Sequence, residues 1–314
     1  MSHTEGYSRR RLLTLAAGVS AVFTLERALA IATTPAISGG QTMQTRVIPS
    51  SSESLPMVGL GTYRGFDVAP GDPVYRQLPA VLDELFGKGG TVIDSSPMYG
   101  RAEQTTGELL SIHEPRSPAF LATKVWTRGR AEGIAQMEQS FSLLRTERID
   151  LMQIHNLLDW QTHLPTLREW KEQGRIRYIG ITYYTPSAYD EVEAVLKAEP
   201  VDFLQINYAL DDRGVEKRLL PLCRERGVAV ICNRPFGGGG VLARLKDKPL
   251  PGWVSDVQVN SWPQLALKFL LAHPAVTCVI PGTSNPRYMA DNARAGFGPM
   301  LTDAQRHQLI ALLG

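Results

Sequence analysis

The chain has 314 residues, 43% of them hydrophobic and 20% charged, an ordinary globular composition with room for one large α/β domain or two smaller ones. Formal net charge is +2, and all of it lies in residues 1–30, where Arg9, Arg10, Arg11 and Arg27 face Glu5 and Glu26; the remaining 29 basic and 29 acidic side chains cancel. A neutral body lacks the basic face that nucleic acid requires, and Cys223, Cys232 and Cys278 fall far from any C-x-x-C spacing, so they read as small core residues and no metal ligand set is expected.

The chain opens with Ser8-Arg9-Arg10-Arg11-Leu12-Leu13, an apolar run through Leu25, and Ala28-Leu29-Ala30. Charged region, apolar region and small-x-small site are the three parts of a secretory signal. The apolar run is shorter than the roughly 20 residues a membrane span needs. The paired arginines resemble a twin-arginine signal, which implies a twin-arginine translocase partner, a periplasmic or other extracytoplasmic location and no stable membrane span after cleavage. An uncleaved anchor or a cytoplasmic leader is the alternative. Residues 1–30 are thus expected to be a signal peptide, 31–50 a linker and 51–314 one domain.

From Leu55 onward a short apolar run, a Gly- or Pro-containing loop and an amphipathic stretch recur. Strands are predicted over 57–62, 91–95, 119–125, 150–155, 176–182, 203–207, 228–233 and 276–280. Helices are predicted near 73–87, 101–112, 130–145, 163–173, 187–197, 215–226, 261–272 and 286–294, with a closing helix over 302–313. Eight strand–helix units in about 250 residues are the count of a (β/α)8 TIM barrel. The strands are apolar runs without alternation, as in parallel strands buried on both faces. Gly174 and Gly227 stand just past predicted helices, a usual stop. An open doubly wound sheet would carry an early G-x-G-x-x-G; Gly59-Leu60-Gly61-Thr62-Tyr63-Arg64 lacks its last glycine.

In such barrels the chemistry lies at the C-terminal ends of the strands. Strand two of the predicted eight ends at Asp94, with Tyr99 in the following loop; strand three ends at Lys124 and strand four at His155. Hydride addition to a carbonyl builds charge on oxygen that must be met by a proton. A tyrosine of pKa about 10 is a reluctant donor, and a nearby ammonium is expected to lower that pKa. A carboxylate beside the lysine would keep it charged, and a histidine could orient the carbonyl oxygen. Two other readings use the same residues: a Schiff-base aldolase with Lys124 as nucleophile, and a nicotinamide-binding sensor or subunit without turnover.

These segments resemble the aldo-keto reductase family: Gly59-Leu60-Gly61-Thr62-Tyr63, Ile93-Asp94 through Tyr99-Gly100, Ala122-Thr123-Lys124-Val125-Trp126, Gln153-Ile154-His155-Asn156, Gly174 through Gly180, and Ile280-Pro281-Gly282-Thr283. The resemblance implies a (β/α)8 barrel that takes NADPH, with NADH as the alternative, and interconverts carbonyl and alcohol or polyol substrates. It implies Tyr99 as general acid, Lys124 and Asp94 as its tuners and His155 as substrate orienter. Gly61, Thr62 and Tyr63 would line the nicotinamide end, Trp126 the substrate pocket, and Gln205 the carboxamide. The chain departs from the family where Thr182-Tyr183 replaces Ser-Asn, where Asn233 replaces a stacking tyrosine, and where Gly282 and Tyr288 replace a lysine and an arginine. Arg234, Phe236, Tyr183 and Tyr184 are candidates to hold the ring or phosphates in compensation, with Arg287 for a 2′-phosphate. Thr283, Asp291 and Asn292 match the phosphate- and adenine-facing pattern. The run 237–240 offers glycine N–H groups to a pyrophosphate, and 254–260 is expected to form a lid.

Overall fold

A computed structural model describes residues 42–112 and 119–313; the signal-like segment and residues 31–41 lie outside the described residues. Eight parallel strands make the central sheet: β3 (Leu60–Gly61), β4 (Val92–Asp94), β5 (Phe120–Val125), β6 (Ile149–Ile154), β7 (Ile176–Thr182), β8 (Phe203–Asn207), β9 (Ala229–Asn233) and β10 (Val276–Val279). Each pairs with its sequence neighbour, and bridges Val58–Val279 and Gly61–Gly282 join the first strand to the last. The sheet therefore closes, as predicted for a TIM barrel, and no edge is left open.

Helices α1 (Leu78–Gly87), α2 (Ala102–Ile112), α3 (Arg130–Leu143), α4 (Trp160–Glu172), α5 (Tyr189–Ala198), α6 (Leu219–Arg226), α7 (Gly240–Leu245), α8 (Trp262–Leu271), α9 (Pro286–Ala293) and α10 (Asp303–Leu313) surround it. Gly174 and Gly227 adopt φ 74° and 67° just past α4 and α6, the left-handed stop that glycine permits. Gly107 allows α2 to lie against the end of α3: a methyl group there would fall 2.1 Å from the Leu143 carbonyl oxygen. Gly107→Ala should therefore destabilise the fold by about 1–3 kcal/mol, read as a lower urea midpoint; an unchanged midpoint would refute this packing.

Two apolar layers follow from strand alternation. Outward residues such as Ile93, Leu121, Ile154, Ile181 and Leu204 join the helices in the larger core. Inward residues Val92, Phe120, Leu151, Tyr178, Phe203, Ile231 and Cys278 fill the lower barrel. All three cysteines are buried and free.

The end of the expected linker falls on regular structure. Residues 45–47 (β1) pair antiparallel with 54–56 (β2), and Ile48 and Leu55 belong to the barrel-interior cluster. The hairpin thus plugs the barrel end opposite the catalytic one. Arg46 donates to the carbonyls of Leu271 (2.5 Å) and His273 (2.7 Å), closing the C-terminus of α8. Polar composition concealed the hairpin because its two inward residues are separated by a turn.

The predicted lid at 254–260 is instead a 3₁₀ turn, Val254–Val257, with Val257 and Val259 buried. Trp253 Nε1 donates to Gln308 of α10 at 2.6 Å, which holds this segment against the outer helices. Among the described residues no helix is long and apolar enough to cross a membrane.

Candidate active site

Above the apolar layers the barrel interior turns polar. Asp94, Lys124, Gln153 and Gln205 end or approach the ends of β4, β5, β6 and β8 and are at most 2% exposed. Asp94 Oδ2 accepts from Lys124 Nζ at 2.7 Å. Its Oδ1 accepts from Gln153 Nε2 at 3.0 Å and Gln205 Nε2 at 2.7 Å. The ammonium also donates to the Ser95 carbonyl at 2.6 Å. A charge pair is tolerated at this depth because each oxygen of the carboxylate is hydrogen-bonded. Burial alone would depress the lysine, but Asp94 and Tyr99 outweigh it, and the Lys124 pKa is raised.

Tyr99 hangs over this pair. Its ring centroid lies 5.2 Å from Lys124 Nζ, 5.0 Å from the Tyr63 ring and 6.0 Å, edge-on, from the His155 ring. The loop carrying it is fixed at both ends. Tyr99 N–H donates to the Ser96 carbonyl, and Gly100 turns the chain at φ 59°. Asp67, from the loop after β3, then accepts the Arg101 N–H at 2.8 Å at the start of α2. The expectation that Lys124 lowers the tyrosine pKa has the right sign for that one interaction. Burial outweighs it, however, and the Tyr99 pKa is raised. The phenol thus keeps its proton, as an acid should.

His155 is 6% exposed and begins a turn in which Asn156, Leu157 and Asp159 all have φ near 54°. Non-glycine residues avoid this region, and such strain clusters at functional sites. Burial, with Lys124 second, drives the imidazole pKa down to about 3, so the ring is neutral at ordinary pH. Ser96 Oγ lies 3.0 Å from its Nδ1 and also accepts weakly from the Met98 N–H at 3.4 Å. The tautomer in which the Ser96 hydroxyl donates to Nδ1 carries the imidazole proton on Nε2, facing away from Ser96.

Because the folded pKa of His155 lies below its unfolded value of about 6.5, the unfolded chain binds the proton first. Its contribution to stability is complete above pH 6.5 and is lost as pH falls toward 3. His155→Asn should remove this component, of order a few kcal/mol, and flatten the pH dependence of the urea midpoint between pH 6.5 and 4. Parallel wild-type and variant curves would count against a buried neutral imidazole.

The remaining predicted residues divide. Tyr63 and Trp126 stand on the rim, 52% and 40% exposed, and Trp126 lies 6.3 Å from the His155 ring. Gly61 and Gly282 bridge each other, and Thr283 Oγ1 accepts from the Asn285 N–H at 3.0 Å ahead of α9. Arg234 and Arg287 are exposed, and Phe236 is half-buried against the core.

Thr62 is fully buried, and its hydroxyl reaches Ser95 Oγ at 2.9 Å. Gln205 donates its amide nitrogen to Asp94 at 2.7 Å and to Gln153 Oε1 at 3.1 Å. Asp291 spends both carboxylate oxygens on Ser261 and Gln264, and Asn292 is buried at 4% exposure. Gly237, Gly238 and Gly239 have φ 59°, 68° and 101°; the N–H groups of Gly237 and Gly239 already serve Arg234 and Phe236 carbonyls.

Gln153 and Ser96, which contact Asp94 and His155, are residues of this cluster that the strand-end criterion passed over. Gln153 lies two positions before His155, on the same inward face, and the period-two rule applied backwards from the strand end finds it.

A nicotinamide cofactor fits the upper rim on one specific count. The buried oxygens Asn156 Oδ1 and Asn233 Oδ1 have no hydrogen-bond partner, although such atoms are normally satisfied. They flank Thr182, whose Oγ1 accepts from Asn156 N–H at 3.2 Å, and Tyr183, whose carbonyl accepts from Asn233 Nδ2 at 2.9 Å. A carboxamide supplies the N–H donors these oxygens lack.

Residues 57–312 match the model of the Aldo/keto reductase family. The chain belongs to that family. Among its relatives, the uncharacterized oxidoreductase YqkF of Bacillus subtilis is 26% identical over 304 residues, covering 84% of this chain and 94% of the relative. The methylglyoxal reductase YeaE of Escherichia coli is 28% identical over 260 residues, covering 80% and 89%. An aldo-keto reductase of Klebsiella pneumoniae solved in complex with NADPH aligns with TM-score 0.67 at 25% identity, over 87% of this chain and 95% of that one. The holo form of an aldo-keto reductase from Bacillus halodurans, 24% identical with TM-score 0.71 over 86% and 96%, shares the barrel. Family membership accounts for the order of the matched segments around one closed barrel.

Proposed function

We propose that this aldo/keto reductase interconverts aldehydes or ketones and their alcohols by hydride transfer with NADPH, with Tyr99 as general acid. The observation that carries the reading is the stack of Asp94, Lys124, Tyr99 and His155 at one barrel mouth. NADPH supplies the hydride when bound. Asn156, Thr182 and Asn233 would hold its carboxamide, with Arg234 and Arg287 free for its phosphates. Tyr99 donates the proton to the carbonyl oxygen. Lys124, kept charged by Asp94, stabilises the phenolate left behind. His155 offers Nε2–H to the same oxygen and fixes its position. Trp126 and Tyr63 bound the space for the rest of the substrate. The Klebsiella relative's NADPH complex and the methylglyoxal activity named for the Escherichia coli relative support a nicotinamide-dependent carbonyl chemistry.

The test is fluorescence titration with NADPH and NADH, followed by turnover on a panel of carbonyls and polyols. Tight NADPH binding without turnover on any of them would favour a sensor over an enzyme. An aldolase is disfavoured because a Schiff-base nucleophile must be neutral, whereas Lys124 is held protonated; borohydride trapping that labels Lys124 would reverse that.

The reading extends to export. The support is the sequence alone: Arg9-Arg10, the apolar run and Ala28-Leu29-Ala30. A folded, cofactor-loaded barrel is suited to a twin-arginine translocase and a periplasmic destination. N-terminal sequencing of the secreted form should begin near Ile31; full-length protein confined to the cytoplasm would sink the idea.

A further inference from the structure

Two arginines at the catalytic mouth share an unusual setting. Arg64, just after β3, has φ 62°, and Arg234, just after β9, has φ 49°. Both are exposed, and each lies over a tyrosine: Arg64 5.1 Å from the Tyr63 ring centroid and Arg234 5.7 Å from that of Tyr184. No carboxylate among the described residues pairs with either. A left-handed backbone strains any residue with a Cβ, and such strain persists where the surroundings or the function require it.

Arg64 is the more telling of the two. Its guanidinium caps a column that runs inward through Tyr63 and Tyr99 to Lys124, with steps of 5.1, 5.0 and 5.2 Å. The turn is tied down rather than loose. Gly65 N–H donates to the Tyr63 carbonyl at 2.8 Å and Phe66 N–H to the Thr62 carbonyl at 3.1 Å, and Phe66 is fully buried. On its other side the turn touches the segment that leads into α9. A methyl group on Gly65 would sit 3.2 Å from the Thr283 carbonyl carbon and 3.3 Å from Ser284 N. Arg287, exposed and unpaired among the described residues, is in the first turn of α9. Adjoining loops thus bring unpaired cations to one sector of the mouth, although the body of the chain is electrically neutral. The cation over Tyr63 is held by its ring and keeps its donors for a ligand.

We propose that the Tyr63–Arg64 turn is an anion-binding element of the catalytic mouth, with Arg64 receiving a phosphate or carboxylate of the bound ligands. This rests on the reductase reading above. The anion has two sources: the phosphates of the cofactor, or a carboxylate on the carbonyl substrate.

The experiment uses the full chain and its Arg64→Gly and Arg64→Lys variants. Cofactor affinity is read by fluorescence titration with NADPH and NADH. Substrate selectivity is read from KM for succinic semialdehyde against butanal, a charged and an uncharged four-carbon aldehyde. Arg64→Gly should raise the melting temperature, because it relieves the left-handed backbone, while weakening anion binding about tenfold; Arg64→Lys should recover part of the loss. If the cofactor supplies the anion, its Kd rises about tenfold and the ratio of the two aldehyde KM values stays put. If the substrate supplies it, cofactor Kd is constant and only the succinic semialdehyde KM rises. Arg64→Gly with both cofactor Kd values and the KM ratio within twofold of wild type overturns the proposal. Should the wild type reduce neither aldehyde, the reductase reading is what fails, and the cofactor titration still reports on Arg64.

Discussion

Tyr99→Phe should lower the rate of carbonyl reduction by about 10²–10⁴-fold while leaving the Kd for NADPH almost unchanged. The phenol oxygen is the only part removed, and the ring that packs between Tyr63 and His155 remains. No other group is an acid of useful strength: the His155 imidazole is neutral, with its pKa down at about 3, and gives the oxygen only a hydrogen bond, while Lys124 is engaged by Asp94 and the Ser95 carbonyl. The pH profile carries a second part of the prediction. A general acid works below its pKa, and burial raises that of Tyr99 above its ordinary value of 10.0. Reduction should therefore hold level through neutrality and decline only on the alkaline side, whereas alcohol oxidation, which needs the phenolate, should rise there. No limb should appear near pH 6.5, because His155 does not titrate in that range. Steady-state rates from pH 5 to 10.5 in both directions decide it. A phenylalanine variant within tenfold of wild type would remove Tyr99 from the chemistry.

Much of this site was legible because barrel strands are short and end where chemistry begins. Asp94, Lys124 and His155 could be picked out as ionisable residues closing apolar runs, and the closed sheet puts them on one rim. What the pattern lacked was direction. Thr62 and Gln205 stand at strand ends like the others, yet one hydroxyl faces the Ser95 side chain and one amide faces Asp94. Neither partner is near in sequence; Gln205 and Asp94 are 111 residues apart. The balance of burial against charge was equally out of reach. The ammonium beside Tyr99 suggested a lowered pKa, and only the packed surroundings reveal that desolvation exceeds it. The β1–β2 hairpin failed for another reason. Its strands have three residues each, too few to display a period, and only two of its apolar side chains, Ile48 and Leu55, enter the barrel from below.

Asp94→Ala should cost about 3–5 kcal/mol of stability as well as nearly all turnover. The carboxylate is 2% exposed and accepts from Lys124, Gln153 and Gln205. Removing it strands an ammonium that is itself fully buried, with the Ser95 carbonyl and the neutral Tyr99 phenol as its remaining partners and no counter-charge. For a domain of this size that loss corresponds to roughly 10 °C in melting temperature. The two consequences can be separated. Lys124→Met removes the charge that Asp94 leaves behind, so the double variant Asp94→Ala/Lys124→Met should be more stable than the sum of the single losses. Catalysis should not recover with it, because Tyr99 then has no ammonium to stabilise its phenolate. Thermal melts and single-turnover rates on the four proteins of this cycle test both halves. Additive stability losses would mean that the pair is not coupled in solution. Recovery of turnover in the double variant would show that the ammonium serves the fold and not the proton transfer.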